Sequence, residues 1–144
     1  MQGLKDTPQT FMTWAEKMSV GVTVLDDDHK KIVDIINQLH DGIMAGHKKE
    51  ILGAVLQELV DYTKEHFARE EELFTNAGFS GALMHKSEHH AMIAKISNVQ
   101  ARYMSSSVIM LDLELMAFLQ NWLVNHIQGS DKKYRSCLNG KGIF

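Results

Sequence analysis

Residues 66–70 read His-Phe-Ala-Arg-Glu, and residues 85–89 read His-Lys-Ser-Glu-His. Each stretch places two potential metal ligands four positions apart, and residues with that spacing lie one turn apart on one face of an α-helix. Apolar residues recur at helical spacing around both stretches. We therefore expect two helices whose paired ligands point at a common centre.

The remainder of the chain predicts two more helices, one before this pair and one after it. The first begins near residues 26–28, because acidic residues cap a helix N-terminus and complement its dipole, and it ends near residues 42–46. The central helices cover about 48–76 and 81–103, and the fourth covers about 108–127. Short links between helices of this length predict an all-α, antiparallel up-down-up-down four-helix bundle.

The chain is expected to form one domain, since 144 residues is an ordinary domain length. We place the bundle at residues 26–131, after an N-terminal arm at 1–25. A β-strand at 19–25 is conceivable, but no neighbouring segment is expected to pair with it. Residues 132–144 read as a short polar C-terminal tail, in which Cys137 would be a free surface thiol.

Composition excludes several classes of protein. The net charge is −3 and the sequence has no basic block, so nucleic acid is not an expected partner. A single cysteine allows no internal disulfide, and no basic region precedes an apolar run at the N-terminus, so we expect a cytoplasmic protein. The longest apolar stretch, residues 108–127, contains Asp112, Glu114 and His126, which indicates a core helix and no membrane insertion.

Further candidate ligands lie on the outer helices. His29 shares the apolar face of Ile32 and Ile36, and His126 lies one turn beyond Trp122. Asp131 follows His126 by five residues, so a regular helix would turn it away unless the helix end is loosened, for example at Gly129. The full candidate set is His29, His66, Glu70, His85, His89, His126 and Asp131.

A single histidine on an apolar face is more often a hydrogen-bonded core residue than a ligand. Five histidines and two carboxylates buried in one bundle would be very costly without a metal. Seven ligands exceed what one tetrahedral zinc ion accepts, and nitrogen and oxygen donors without thiolate favour iron or manganese. The Glu-x-x-His pattern of ferritin-like sites and the His-Glu-x-x-His pattern of zinc proteases are both absent from the sequence. The pattern therefore indicates two metal ions.

The order His, His-x-x-x-Glu, His-x-x-x-His, His-x-x-x-x-Asp resembles that of the hemerythrins. So do the surroundings of the ligands, Leu-Asp-Asp-Asp-His-Lys at 25–30, His-Phe-Ala-Arg-Glu-Glu at 66–71 and Trp-Leu-Val-Asn-His-Ile at 122–127. The resemblance covers about residues 11–135. The long gap between His89 and His126 is similar to that of the bacterial branch of the family.

The resemblance implies a role for each ligand. His85, His89 and His126 would bind one iron ion, while His29 and His66 would bind a second that keeps an open position. Glu70 and Asp131 would bridge the two ions together with an oxo or hydroxo group. The implied function is reversible dioxygen binding, for carriage, storage or delivery. An apolar wall should protect the bound gas from water, and the candidates for it are Ile32, Phe67, Trp122, Leu123 and Ile127.

Two other functions are weighed against this one. The same domain could sense dioxygen or redox state inside a larger signalling receptor, with a signalling protein as partner. Peroxidase- or oxidase-like chemistry would favour a polar pocket, so the apolar residues near His29 and His66 argue against an enzyme. His40, His47 and His90 are expected to be surface groups outside the site.

Overall fold

The computed structural model describes residues 10–105 and 112–144, and within these ranges the regular structure is helical. Four helices form the antiparallel up-down-up-down bundle that the sequence predicts, and this prediction of the fold is confirmed. The predicted start of the fourth helix at residues 108–111 lies outside the described residues. The helices are α1 Thr23–Met44, α2 Lys49–Asn76, α3 Ala82–Met104, α4 Asp112–Asn125 and a short α5 Arg135–Gly140.

Helix α1 begins at Thr23, three residues before the earliest predicted start. Asp26 lies in the first turn and does not cap the helix. Its carboxylate instead accepts hydrogen bonds from the Ser19 hydroxyl at 2.6 Å and from the Val20 N–H at 2.8 Å. Asp26 therefore joins the incoming chain to the helix, and residues 19–25 do not form a β-strand.

The described part of the N-terminal arm packs against the bundle. Asn37 on α1 bonds both backbone groups of Met12, accepting from its N–H and donating to its carbonyl oxygen, each at 2.8 Å. Met18, Val20 and Val22 are buried, and a short 3₁₀ turn at Glu16–Met18 precedes the last two. The arm thus extends the hydrophobic core beyond the four helices.

The predicted polar tail is wrong. A 3₁₀ turn at Asp131–Tyr134 leads directly into α5, and both Tyr134 and Leu138 are fully buried. These two residues are four positions apart and share one helical face, a pattern that the lysines around them obscure. Cys137 is half-buried, with its thiol 3.5 Å from the Ala77 carbonyl oxygen, and so is not a surface thiol.

Gly21, just before α1, has a backbone conformation that favours glycine and lies against Arg135 of α5. Gly21 has a φ of 77°, which disfavours other residues, and a Cβ there would come within 2.3 Å of Arg135 Nε. Asn139 donates a hydrogen bond to the Gly21 carbonyl oxygen at 3.1 Å. None of the helices in the described ranges has the length and hydropathy that crossing a membrane requires.

Candidate metal centre

The structure brings all seven predicted ligands together in the bundle interior. Each is between 0% and 7% exposed. Their nitrogen and oxygen atoms fall into two groups, each with donor atoms within 4.8 Å of one another, and Glu70 and Asp131 belong to both groups. The larger group adds His85, His89 and His126 to these carboxylates, and the smaller adds His29 and His66.

One oxygen of each carboxylate faces the three histidines. Glu70 Oε1 lies 2.8 Å from His89 Nε2 and 3.2 Å from His85 Nε2. Asp131 Oδ1 lies 2.7 Å from His126 Nε2 and 3.0 Å from His85 Nε2. Three imidazoles and two carboxylate oxygens therefore surround one centre, which we call the three-histidine side.

The second oxygen of each carboxylate faces the remaining histidines. Asp131 Oδ2 lies 3.0 Å from His29 Nε2, and Glu70 Oε2 lies 3.4 Å from His66 Nε2 and 4.0 Å from His29 Nε2. This two-histidine side has one imidazole fewer than its neighbour. The carboxylates are thus arranged as bridges between two unequal centres.

Asp131 reaches the site because the end of α4 changes its winding. Residues His126–Ser130 form a π-helical turn, and the N–H of Asp131 donates to the carbonyl oxygen of His126. This i to i+5 bond returns Asp131 to the face of His126, which a regular α-helix would not do. Gly129 has no positive φ, and a Cβ there would meet nothing within 4 Å, so the loosened end does not require a glycine.

The donor atoms fit a pair of cations. Buried polar atoms normally have hydrogen-bond partners, and an unpaired one is costly. Among the described residues, several unpaired buried atoms belong to this cluster, and a cation on each side would satisfy them. They are His29 Nε2, His66 Nε2, Glu70 Oε1, His89 Nε2, His126 Nε2 and Asp131 Oδ2.

Asp28 contacts the candidate ligand His66 at the ring nitrogen that faces away from the cluster, and the sequence analysis did not find this contact. Its carboxylate lies 2.8 Å from His66 Nδ1 and accepts hydrogen bonds from Arg69 Nε at 2.8 Å and the Tyr62 hydroxyl at 2.7 Å. Burial raises the pKa of Asp28, but the hydrogen bonds from these three groups outweigh burial and hold the pKa below its usual range. An ionised carboxylate can only accept, so His66 carries its proton on Nδ1 and leaves Nε2 for a metal.

A second carboxylate orients His89. Glu71 Oε2 lies 2.7 Å from His89 Nδ1, and its side chain is 25% exposed. Glu71 follows Glu70 directly, so two adjacent carboxylates of α2 contact the same imidazole. Glu70 contacts its Nε2 and Glu71 contacts its Nδ1. Burial raises the pKa of Glu70, yet hydrogen bonds from the surrounding histidines hold that pKa well below its usual range.

The apolar residues suggested for the pocket wall are buried, and one of them, Phe67, contacts the histidine cluster. Phe67 stacks on His89 with ring centroids 3.7 Å apart and also lies 5.6 Å from His126. A cleft of about 540 Å³ between α3 and α4 reaches Trp122 and His126. All five candidates for the pocket wall are buried, namely Ile32, Phe67, Trp122, Leu123 and Ile127.

The other histidines lie outside the cluster. His47 and His90 are exposed. His40 is half-buried, with its ring stacked on Phe11 at a centroid distance of 4.7 Å.

Comparison with known families agrees with this geometry. Residues 20–138 match the family described as the Hemerythrin HHE cation binding domain. This chain belongs to the hemerythrin family. The resemblance seen in the sequence is thereby confirmed, and the family's cation-binding character agrees with the buried cluster of histidines and carboxylates.

Hemerythrin relatives cover most of the chain. The bacteriohemerythrin of Pseudomonas aeruginosa strain UCBPP-PA14 is 37% identical over 123 residues, which is 85% of this chain and 78% of that protein. The bacteriohemerythrin of Methylococcus capsulatus is 35% identical over 130 residues, covering 90% and 98%. A hemerythrin-like protein of Naegleria gruberi is 32% identical and covers 91% and 96%.

Solved hemerythrin structures share the fold. The crystal structure of a wild-type hemerythrin superposes with a TM-score of 0.77 at 32% identity, covering 88% of this chain and 97% of that chain. A hemerythrin point mutant gives a TM-score of 0.81 at 31% identity, covering 90% and 98%. The likeness therefore extends from the ligand pattern to the whole bundle.

Proposed function

We propose that this hemerythrin is a non-haem di-iron protein that binds dioxygen reversibly, for carriage, storage or delivery. The observation that carries the proposal is the unequal sharing of Glu70 and Asp131 between a three-histidine side and a two-histidine side. Three imidazoles, two bridging oxygens and a shared oxo or hydroxo group would complete six-coordination on one side. The two-histidine side would then keep a position for dioxygen.

The donor chemistry supports iron as the bound metal. Five imidazoles and two carboxylates, without thiolate, suit iron or manganese, and membership of the hemerythrin family favours iron. When bound, two ferrous ions supply the two electrons that reversible dioxygen binding requires. His66 and His89 are oriented for this task by Asp28 and Glu71, which accept from the Nδ1–H of each ring.

The apolar wall supports binding without turnover. Ile32, Phe67 and Ile127 are each no more than 5% exposed and carry no group that could donate a proton. Exclusion of water and protons protects a reduced gas ligand from release as peroxide. We therefore propose a binding protein in preference to an enzyme, and neither the site nor the relatives described above favour the sensing alternative.

The lone cysteine bears on the proposed location. Cys137 is unpaired and half-buried. A chain that makes no internal disulfide suits a reducing compartment, so we propose that the protein is cytoplasmic.

The deciding experiment is a visible absorption spectrum of the reduced, iron-loaded protein under argon, in air, and again under argon. We expect two iron ions per chain and an absorption band that appears in air and disappears under argon. The variant His29→Ala removes a ligand of the two-histidine side and should lose the band, while His90→Ala, altered at an exposed histidine, should keep it. One-way conversion of the wild-type protein in air would contradict reversible binding.

A further inference from the structure

Tyr134 touches the proposed metal centre without being a candidate ligand. Its side chain is fully buried, and its hydroxyl donates a hydrogen bond to Glu70 Oε2 at 2.8 Å. This is the carboxylate oxygen that faces the two-histidine side. The contact therefore involves a shared ligand on the side to which we assign dioxygen.

The winding of the chain places Tyr134 at this oxygen. A 3₁₀ turn runs from Asp131 to Tyr134, and residues three apart in such a turn lie on the same face. This turn thus carries both Asp131, one of the two proposed bridging carboxylates, and Tyr134, which donates a hydrogen bond to the second, Glu70. The Tyr134 ring is held by neighbours on α2 and α3, with centroid distances of 6.0 Å to Phe74 and 5.7 Å to His85.

The hydroxyl of Tyr134 is the donor in this contact, because an ionised carboxylate oxygen can only accept a hydrogen bond. A neutral phenol beside a carboxylate oxygen withdraws electron density from it, so this oxygen becomes a weaker metal ligand. The second oxygen, Glu70 Oε1, instead faces His85 and His89. The hydrogen bond therefore makes the two ends of one bridge unequal.

We propose that Tyr134 is a positioning residue, whose hydroxyl fixes the rotation of the Glu70 carboxylate and weakens its donation to the metal on the two-histidine side. Weaker anionic donation favours the ferrous over the ferric ion at the position that binds dioxygen. The inference rests on the proposed di-iron function. A merely structural tyrosine would be replaced by phenylalanine without consequence for the metals.

The chain offers a matched control. Tyr103 is 1% exposed, and its hydroxyl donates to Asp112 Oδ1 at 2.7 Å, so it too is a buried tyrosine bonded to a carboxylate. Asp112 is not a member of the metal-binding groups. The variants Tyr134→Phe and Tyr103→Phe therefore remove the same atom and the same kind of hydrogen bond, at the site and away from it.

The test compares wild-type protein with both variants by two measurements. Competition with a coloured chelator gives the affinity for Co²⁺, whose absorption spectrum also reports ligand geometry. Spectroelectrochemistry of the iron-loaded protein gives its midpoint potential. For Tyr134→Phe we expect the Glu70 carboxylate to lose its fixed rotation, and this loss to outweigh its stronger donation, so the Co²⁺ affinity should be roughly 10- to 100-fold lower and the Co²⁺ spectrum altered. The stronger donation of the freed oxygen should lower the midpoint potential. A tenfold change in the equilibrium between the ferrous and ferric states corresponds to a change in midpoint potential of about 59 mV per electron. For Tyr103→Phe we expect wild-type values.

The outcomes separate this inference from the function on which it rests. If Tyr134→Phe matches wild type and Tyr103→Phe in affinity, spectrum and potential, the positioning role is overturned while the metal centre stands. If the wild-type chain fails to hold two Co²⁺ ions, the di-metal proposal itself is overturned. Should Tyr134→Phe not fold, 3-fluorotyrosine at position 134 supplies a stronger donor of the same shape. The midpoint potential must then rise, and an unchanged potential overturns the inference.

Discussion

The backbone N–H of Asp131 donates to the carbonyl oxygen of His126, five residues earlier, and this single bond returns the carboxylate to the face of the imidazole. Asp131 Oδ1 then lies 2.7 Å from His126 Nε2, and Asp131 Oδ2 lies 3.0 Å from His29 Nε2. A local change in winding at the end of α4 thereby links this helix to α1 across the proposed metal centre.

Removing this carboxylate should uncouple the two metals. We expect Asp131→Ala to lower the iron content from two ions per chain towards one, because the three-histidine side retains three imidazoles whereas the two-histidine side retains two. Iron analysis after desalting measures the change. Asp27→Ala, which alters an exposed carboxylate of α1, should still hold two ions. Two tightly bound ions in Asp131→Ala would contradict the bridging role.

The bundle and the clustering of the candidate ligands could be predicted from the sequence because both depend on spacing along helices. His66 and Glu70, like His85 and His89, need only a regular α-helix to share a face. Asp131 joins the cluster only because the helix end is loosened, which the sequence analysis had to assume. A π-helical turn has no reliable residue signature, and Gly129 does not enforce it.

The residues that support the ligands could not be found in this way. Asp28 reaches His66 across 38 positions of sequence, and its neighbours Asp26 and Asp27 suggested helix capping for the whole acidic run. Tyr134 lies between a lysine pair and an arginine, so the sequence of its segment predicts a polar tail. Such contacts depend on which helices pack together, and the local periodicity of the sequence does not predict this.

The Asp28 carboxylate should matter for the retention of iron. In Asp28→Asn the Nδ1–H of His66 and the Arg69 side chain lose a charged acceptor, so His66 becomes a poorer ligand. We expect roughly 10- to 100-fold weaker metal binding, measured as faster iron loss to a chelator. Glu65→Gln is the matched control, since Glu65 pairs with Arg69 at 3.7 Å from an exposed position without touching His66. Equal rates in both variants would refute this role.

Metal removal should lower the thermal stability of the protein. The metal-free site buries two carboxylates and five histidines with several unpaired polar atoms. A ligand present at a thousand times its Kd stabilises the folded state by about 4 kcal/mol. For a domain of this size that corresponds to a rise in Tm on the order of 10 °C. Calorimetry of the metal-free and iron-loaded forms measures it, and coincident transitions would mean that the cluster holds no metal.

Phe67 should control how long the bound gas survives. Its ring stacks on that of His89 at a centroid distance of 3.7 Å and lies 5.8 Å from that of His66, so it contacts candidate ligands of both sides. Phe67→Leu opens space for water and should speed autoxidation, at a stability loss on the order of 1–2 kcal/mol, less than for alanine.

Ile35→Val is the control for Phe67→Leu, because Ile35 is fully buried but is neither a ligand nor a proposed wall residue. It should cost about 1 kcal/mol and leave autoxidation unchanged. The decay of the air-dependent absorption band measures the rate. If the band also decayed faster in Ile35→Val, the effect would come from general loosening of the bundle, and Phe67 would have no specific role in protecting the bound gas.

The C-terminal helix should be part of the folded core. Leu138 is fully buried on α5, so Leu138→Ala should lower the free energy of unfolding by about 2–5 kcal/mol. Lys141→Ala, at an exposed position just beyond that helix, should change it by less than about 0.5 kcal/mol. Urea titrations of the metal-free proteins measure both, which keeps the metal out of the comparison. A side chain that packs against nothing can be truncated without loss of stability. If the urea midpoints of Leu138→Ala and Lys141→Ala were equal, residues 132–144 would therefore form the polar tail that the sequence predicts.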